Sequence, residues 1–65
     1  MTYKINGYTI NNVPKYAMDD VEIRGYVMVV RYTDNELWFY GTYKEGRAID
    51  IAQLINGWVM KPYEK

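Results

Sequence analysis

The stretch Glu22-Ile23-Arg24-Gly25-Tyr26-Val27-Met28-Val29-Val30-Arg31-Tyr32-Thr33-Asp34-Asn35-Glu36-Leu37-Trp38-Phe39-Tyr40-Gly41-Thr42-Tyr43 decides the fold. Val, Ile, Tyr and Met dominate residues 22–33, the composition of a pleated and half-buried strand. Gly25 reads as a bulge or bend within it. Residues 37–43 form a second such run, and Thr33-Asp34-Asn35-Glu36 between them reads as a tight turn. With Asp34 and Asn35 as the two loop residues, Tyr32 faces Leu37, Val30 faces Phe39 and Tyr26 faces Tyr43. Alternation then puts Tyr26, Met28, Val30, Tyr32, Leu37, Phe39 and Tyr43 on a core face. Val27, Val29, Arg31, Trp38, Tyr40 and Thr42 lie on the other. A slip of one residue would reshuffle these partners.

C-terminal to the hairpin, residues 46–56 read as a helix. Ala48, Ile51, Ala52 and Ile55 fall at i, i+3, i+4 and i+7 and make one apolar stripe. Ile49 and Leu54 widen it, and Arg47, Asp50 and Gln53 mark the wet side. Asn56-Gly57 ends it, with Gly57 suited to a left-handed position. Trp58-Val59-Met60-Lys61 reads as a returning strand stopped by Pro62. N-terminal to the hairpin, Asn6-Gly7 between Tyr3-Lys4-Ile5 and Tyr8-Thr9-Ile10 signals a two-residue turn. Asn11-Asn12-Val13-Pro14 reads as loop, and residues 15–20 as either one helical turn from Pro14 or irregular chain. The expectation is one domain over residues 1–65 of α+β class. It has a small antiparallel sheet (N-terminal hairpin, long hairpin, C-terminal strand) and one helix packed on one face.

The chain has 65 residues, no Cys, no His and no Ser. Disulfides, thiolate metal sites and most nucleophilic or general-base chemistry are therefore unavailable. Only carboxylates, Lys and Tyr remain, with no converging constellation, so no enzymatic activity is expected. Eight basic residues balance eight acidic ones, so no overall field draws nucleic acid or an anionic membrane. The first residues lack a basic stretch followed by an apolar run, and the longest apolar stretch, residues 26–30, is far short of the ~20 that span a bilayer. A cytoplasmic protein is the expectation.

One feature of the hairpin stands out. A sheet covered by one helix is expected to be wet on its far side, yet that side carries Val27, Val29, Trp38 and Tyr40, with only Arg31 and Thr42 to hydrate it. Two readings stay open. The N-terminal hairpin, with Tyr3, Ile5, Tyr8 and Ile10, folds back over this face, or the face is a contact surface for a second copy or a target. A chain this small gains from dimerisation, which favours a homodimer. Trp, Tyr and Arg anchor interfaces, so Trp38, Tyr40, Arg31 and Val29 are the candidate partner-binding residues. Asp19, Asp20 and Glu22, the one local acidic cluster, are added as a patch for a basic partner, against a solvated turn before a strand. Their spacing fits neither a calcium nor a magnesium site, and no metal ligand is assigned. Lys44-Glu45-Gly46-Arg47 could hold an anion at a helix start, but a lone glycine makes a poor phosphate loop and the Walker pattern is absent. No cofactor is expected. Aromatics interleaved with Arg24, Arg31 and Arg47 suggest a nucleic-acid platform, which the zero net charge argues against.

Val29-Val30-Arg31-Tyr32-Thr33-Asp34-Asn35-Glu36-Leu37-Trp38-Phe39-Tyr40-Gly41, with the helix that follows and Trp58-Val59, resembles small uncharacterised proteins encoded by phages and prophages of Gram-positive bacteria. Those share a strand–turn–strand–helix–strand block with Trp-Phe-Tyr-Gly in the second strand. The resemblance covers residues 27–60 and leaves Met1 to Asp20 unmatched. It rests on core and turn residues, so it implies a shared fold and transfers no functional residue. It implies a non-enzymatic inhibitor of a bacterial host or defence protein, of the anti-CRISPR and anti-defence kind, acting by protein–protein contact. Many such inhibitors imitate DNA with an acidic surface; this neutral chain departs from them. The alternative is a small nucleic-acid-binding or transcription accessory module using the aromatic sheet face.

Overall fold

The computed structural model describes residues 2–5 and 7–61. Seven elements follow one another: β1 (Tyr3–Ile5), β2 (Tyr8–Asn11), α1 (Lys15–Arg24), β3 (Val27–Thr33), β4 (Glu36–Tyr43), α2 (Glu45–Ile55) and β5 (Trp58–Met60). The strands form one sheet in the order β1-β2-β4-β3-β5. All neighbours are antiparallel except β2 and β4, which run parallel with Ile10 opposite Leu37. The α+β architecture expected from the sequence stands, with a second helix and one parallel pairing added. Asn6 of the first turn, the stop at Pro62 and the chain beyond it lie outside the described residues.

The long hairpin turns where the sequence places it. Asp34 and Asn35 both take positive φ, 54° and 64°, which matches the right-handed twist of two strands joined by two residues. Tyr32 faces Leu37 and Val30 faces Phe39 as expected, but Val27, not Tyr26, faces Tyr43. The register shifts between Val29 and Val30, leaving Tyr40 as an extra residue on β4. This bulge exchanges the sides of Thr42 and Tyr43. Thr42 joins the face of Met28, and Tyr43 joins Val27 and Val29.

Residues 22–26 are not strand. They finish α1 and its exit, with Gly25 at φ 71° closing the helix and not bulging a strand. Its N–H donates to the Asp20 carbonyl, which also accepts from Tyr26 N at 3.1 Å. The helix is held by Ala17 and Val21, four residues apart and both buried, while Ile23 faces solvent. So narrow a stripe carries little helical periodicity, and Val21 and Ile23 mimic strand composition. The helix forms because the sheet beneath rewards it.

The sheet is covered on both faces. On one, Met28 and Val30 of β3 pack with Ile5, Ile10, Val13 and Ala17 of α1, and Leu37, Phe39 and Met60 lean against them. On the other, Val27 and Val29 pack with Ala48 and Ala52 of α2, flanked by Tyr43, Ile51, Ile55 and Val59. The N-terminal hairpin does not fold back over the Val27–Val29 face. It extends the sheet edge beside β4, and α2 does the covering. β4 and β5 run parallel with β3 between them, so α2 is the crossover that a parallel return requires. The left-handed residue ending α2 is Asn56, φ 59°, and not Gly57. Gly57 is needed for space: a Cβ there would press into the Val30 carbonyl oxygen. Among the described residues no helix is long and apolar enough to cross a membrane.

Candidate functional site

Alternation fixes the sides of the hairpin residues once the bulge is in place. Arg31 pairs with Trp38, and both lie on the α2 side of the sheet with Val29. Tyr40, two residues on from Trp38, follows it to that side. The helix α2 lies over β3 and β5, where Val27, Val29 and Val59 meet it, and leaves the β4–β2–β1 half of this face open. Trp38 is 40 % exposed and Tyr40 46 %. Arg31 is also exposed. Asn11 lies opposite Trp38 on β2, and its Nδ2 donates to Glu36 Oε2 at 3.2 Å. The open half is thus a Trp–Tyr–Arg surface bordered by an amide and a carboxylate.

Val29 does not belong to it. It is 0 % exposed beneath Ala48 and Ala52, so it is a core residue and cannot reach a partner. The acidic residues lie elsewhere again. Asp19, Asp20 and Glu22 sit on a helix, not in a turn before a strand, and α1 covers the opposite face of the sheet. Asp20 is engaged internally. Thr42 Oγ1 donates to Asp20 Oδ2 at 2.7 Å, part-buried, and Arg24 Nε stands 3.7 Å from Oδ1. This tie exists because the bulge carries Thr42 to the α1 side. Asp19 and Glu22 are exposed. The structure therefore brings Trp38, Tyr40 and Arg31 together and separates them from Asp19, Asp20 and Glu22 by the thickness of the sheet.

A second exposed aromatic group escaped the reading of the sequence. On the α1 side, beyond the end of that helix, Tyr32 and Trp58 meet edge to face, ring centroids 6.1 Å apart and planes at 88°. With Tyr8 they line an open groove of ≈ 850 Å³ over Leu37. A sequence signal existed. Tyr32 is a large ring on the face read as core, but only the strand order brings Tyr8 of β2 and Trp58 of β5 to the same corner.

Among the described residues no cluster of three or more carboxylates is positioned to hold a metal ion, and no buried side-chain nitrogen or oxygen lacks a partner. The start of α2 at Lys44 has no side-chain cap. Comparison with family models, curated proteins and solved structures finds no match to this chain.

Proposed function

We propose that this chain is a non-enzymatic binding protein that acts through protein–protein contact at Trp38, Tyr40 and Arg31. The observation that carries the reading is the half of the sheet left open beside α2, where a Trp and a Tyr stand 40 % and 46 % exposed next to an Arg. Trp, Tyr and Arg are enriched among the residues that anchor protein interfaces, and here the three lie side by side on one open face. The resemblance of residues 27–60 to phage and prophage proteins supports, as part of this proposal, a bacterial host or defence protein as the partner, inhibited in the cytoplasm.

The test is the double substitution Trp38→Ala with Tyr40→Ala. Both side chains are partly solvated already, so the variant is expected to keep the native amide spectrum. In a defence-positive bacterial strain expressing the chain, wild type should raise phage plating and the folded double variant should not. Equal plating for the two, or loss of the fold in the variant, would remove these residues from the site. Light scattering belongs to the same experiment: a concentration-independent mass near twice 7.7 kDa would assign the open face to self-association.

A nucleic-acid or transcription accessory module on the same face is a second reading, favoured by Arg31 pairing directly beside Trp38. Binding that weakens steeply with salt would select it.

A further inference from the structure

The joint between α2 and β5 is the dipeptide Asn56-Gly57, and the fold fixes it on both sides. Asn56 ends α2 in the left-handed region, with φ 59° and ψ 42°. Gly57 N donates to the Ala52 carbonyl at 2.7 Å. Gly57 packs so closely on the Val30 carbonyl oxygen that a side chain there has no room. The next residue, Trp58, pairs with Val30 on the edge of the sheet. Asn56 itself is exposed to water.

An asparagine followed by glycine can close a succinimide ring, because no side chain on the glycine hinders the approach of its nitrogen. The Gly57 nitrogen gives up its proton and bonds to Asn56 Cγ, and the Cγ–Nδ2 bond breaks as ammonia leaves. Water then opens the ring. Opening between Cγ and the nitrogen restores the main chain with an aspartate side chain. Opening at the main-chain carbonyl leaves the chain running through Cγ, an isoaspartate that is one methylene longer. Ring closure has two requirements: the nitrogen must leave its hydrogen bond, and it must swing about the Cα–C bond to the side of Cβ. At ψ 42° it points to the opposite side. Turning it moves Gly57 and all of β5 with it, so the ring cannot close while β5 is paired with β3.

We propose that Asn56 is a gated deamidation site, closed in the native fold, opened when β5 leaves the sheet, and irreversible once used. Both products place a carboxylate at the end of α2, where the free carbonyls of the last turn form the negative pole of the helix. Isoaspartate also lengthens a joint that has no slack, since Gly57 is held between Ala52 and Val30. A chain that has opened and reacted therefore cannot dock β5 in its former register, and α2 loses the strand that flanks it. The Trp38 surface takes no part in this chemistry.

The experiment incubates the full chain in buffer and in guanidinium chloride at one pH and temperature. Peptides carrying residue 56 are followed by mass spectrometry with electron-transfer fragmentation, which separates isoaspartate from aspartate. In denaturant Asn56 should convert about as fast as the same dipeptide at Asn6-Gly7. In buffer, conversion at Asn56 should be at least about tenfold slower, in proportion to the small open population. Val59→Ala thins the packing of β5 against α2 without touching the dipeptide. It should speed conversion severalfold in buffer and leave the rate in denaturant unchanged. Wild type aged in denaturant and returned to buffer should lose more of its unfolding midpoint than an Asn56→Gln chain aged alongside, which carries every change except the one at 56. Equal rates at Asn56 in buffer and in denaturant overturn the gate, and equal midpoint losses in the two aged chains overturn its consequence. Should Val59→Ala fail to fold, the wild-type comparison still decides.

Discussion

Gly57 and Gly46 provide opposite tests of one substitution. At Gly57 a methyl group would collide with the Val30 carbonyl oxygen and sit 3.2 Å and 3.3 Å from Ile55 Cδ1 and Cγ1. The oxygen cannot swing away, because Val30 is fixed in the sheet between Phe39 on β4 and Trp58 on β5. Relief requires β5 to step back from β3, and β5 is only three residues long. Overpacking of this kind costs about 1–3 kcal/mol, and a broken terminal hydrogen bond adds about 1 kcal/mol. The sum, about 2–4 kcal/mol, compares with a total stability of about 3–10 kcal/mol for a chain of this length. At Gly46, in the first turn of α2, the same methyl group meets open space. There Gly→Ala only removes unfolded-chain freedom and should stabilise by about 0.5–1 kcal/mol. Urea denaturation followed by circular dichroism reads both, with m near 1 kcal/mol/M for so small a domain. The Gly57→Ala midpoint should fall by about 2 M or more, and the Gly46→Ala midpoint should rise by about 0.5 M. A Gly57→Ala midpoint within about 0.5 M of wild type, or both shifts of one sign, would refute the account of β5 docking.

Three further outcomes follow from the packing. Thr42→Val removes the part-buried donor to Asp20 Oδ2 and should cost about 1–2 kcal/mol; a double-mutant cycle with Asp20→Ala, which removes the acceptor, should recover most of that as coupling, and additive losses would show the α1–β4 tie to be energetically idle. Met28→Ala and Val29→Ala, one on each side of β3 and both fully buried, should each destabilise by about 2 kcal/mol or more in thermal unfolding; a loss confined to one of them would mean that only one face is packed. Deleting Tyr40 joins Phe39 directly to Gly41 and keeps Thr42 opposite Met28 and Tyr43 opposite Val27, so the deletion variant should keep the cooperative transition seen by near-ultraviolet dichroism; loss of that transition would show that the bulge does more than set the faces of these residues.

The local chemistry of the chain determined the parts that depend on near neighbours. Asp34-Asn35 specified the hairpin turn because those residues tolerate positive φ, and the pairs Tyr32–Leu37 and Val30–Phe39 followed from counting outward. The stripe of Ala48, Ile51, Ala52 and Ile55 specified α2, because a helix that buries one face must repeat every third and fourth residue. Legibility stopped where contacts between distant segments set the answer. α1 carries only Ala17 and Val21 as buried anchors, so its helix comes from docking on β3 and β4 and not from periodicity. The Tyr40 bulge lies within a run of aromatic and β-branched residues that would pair regularly on composition alone. It decides the sides of Thr42 and Tyr43, and with them the bond that fixes Asp20.

The candidate surfaces divide in the same way. That Trp38, Tyr40 and Arg31 share a side was readable from alternation. That Val29 is lost to the core, that Asp19 and Glu22 end on the opposite face, and that Tyr8, Tyr32 and Trp58 meet at one corner were not. Those depend on the strand order β1-β2-β4-β3-β5 and on where α2 crosses. The physical reason is range: turn and helix energies act over a few residues of sequence, whereas burial is decided by whichever element arrives to exclude water.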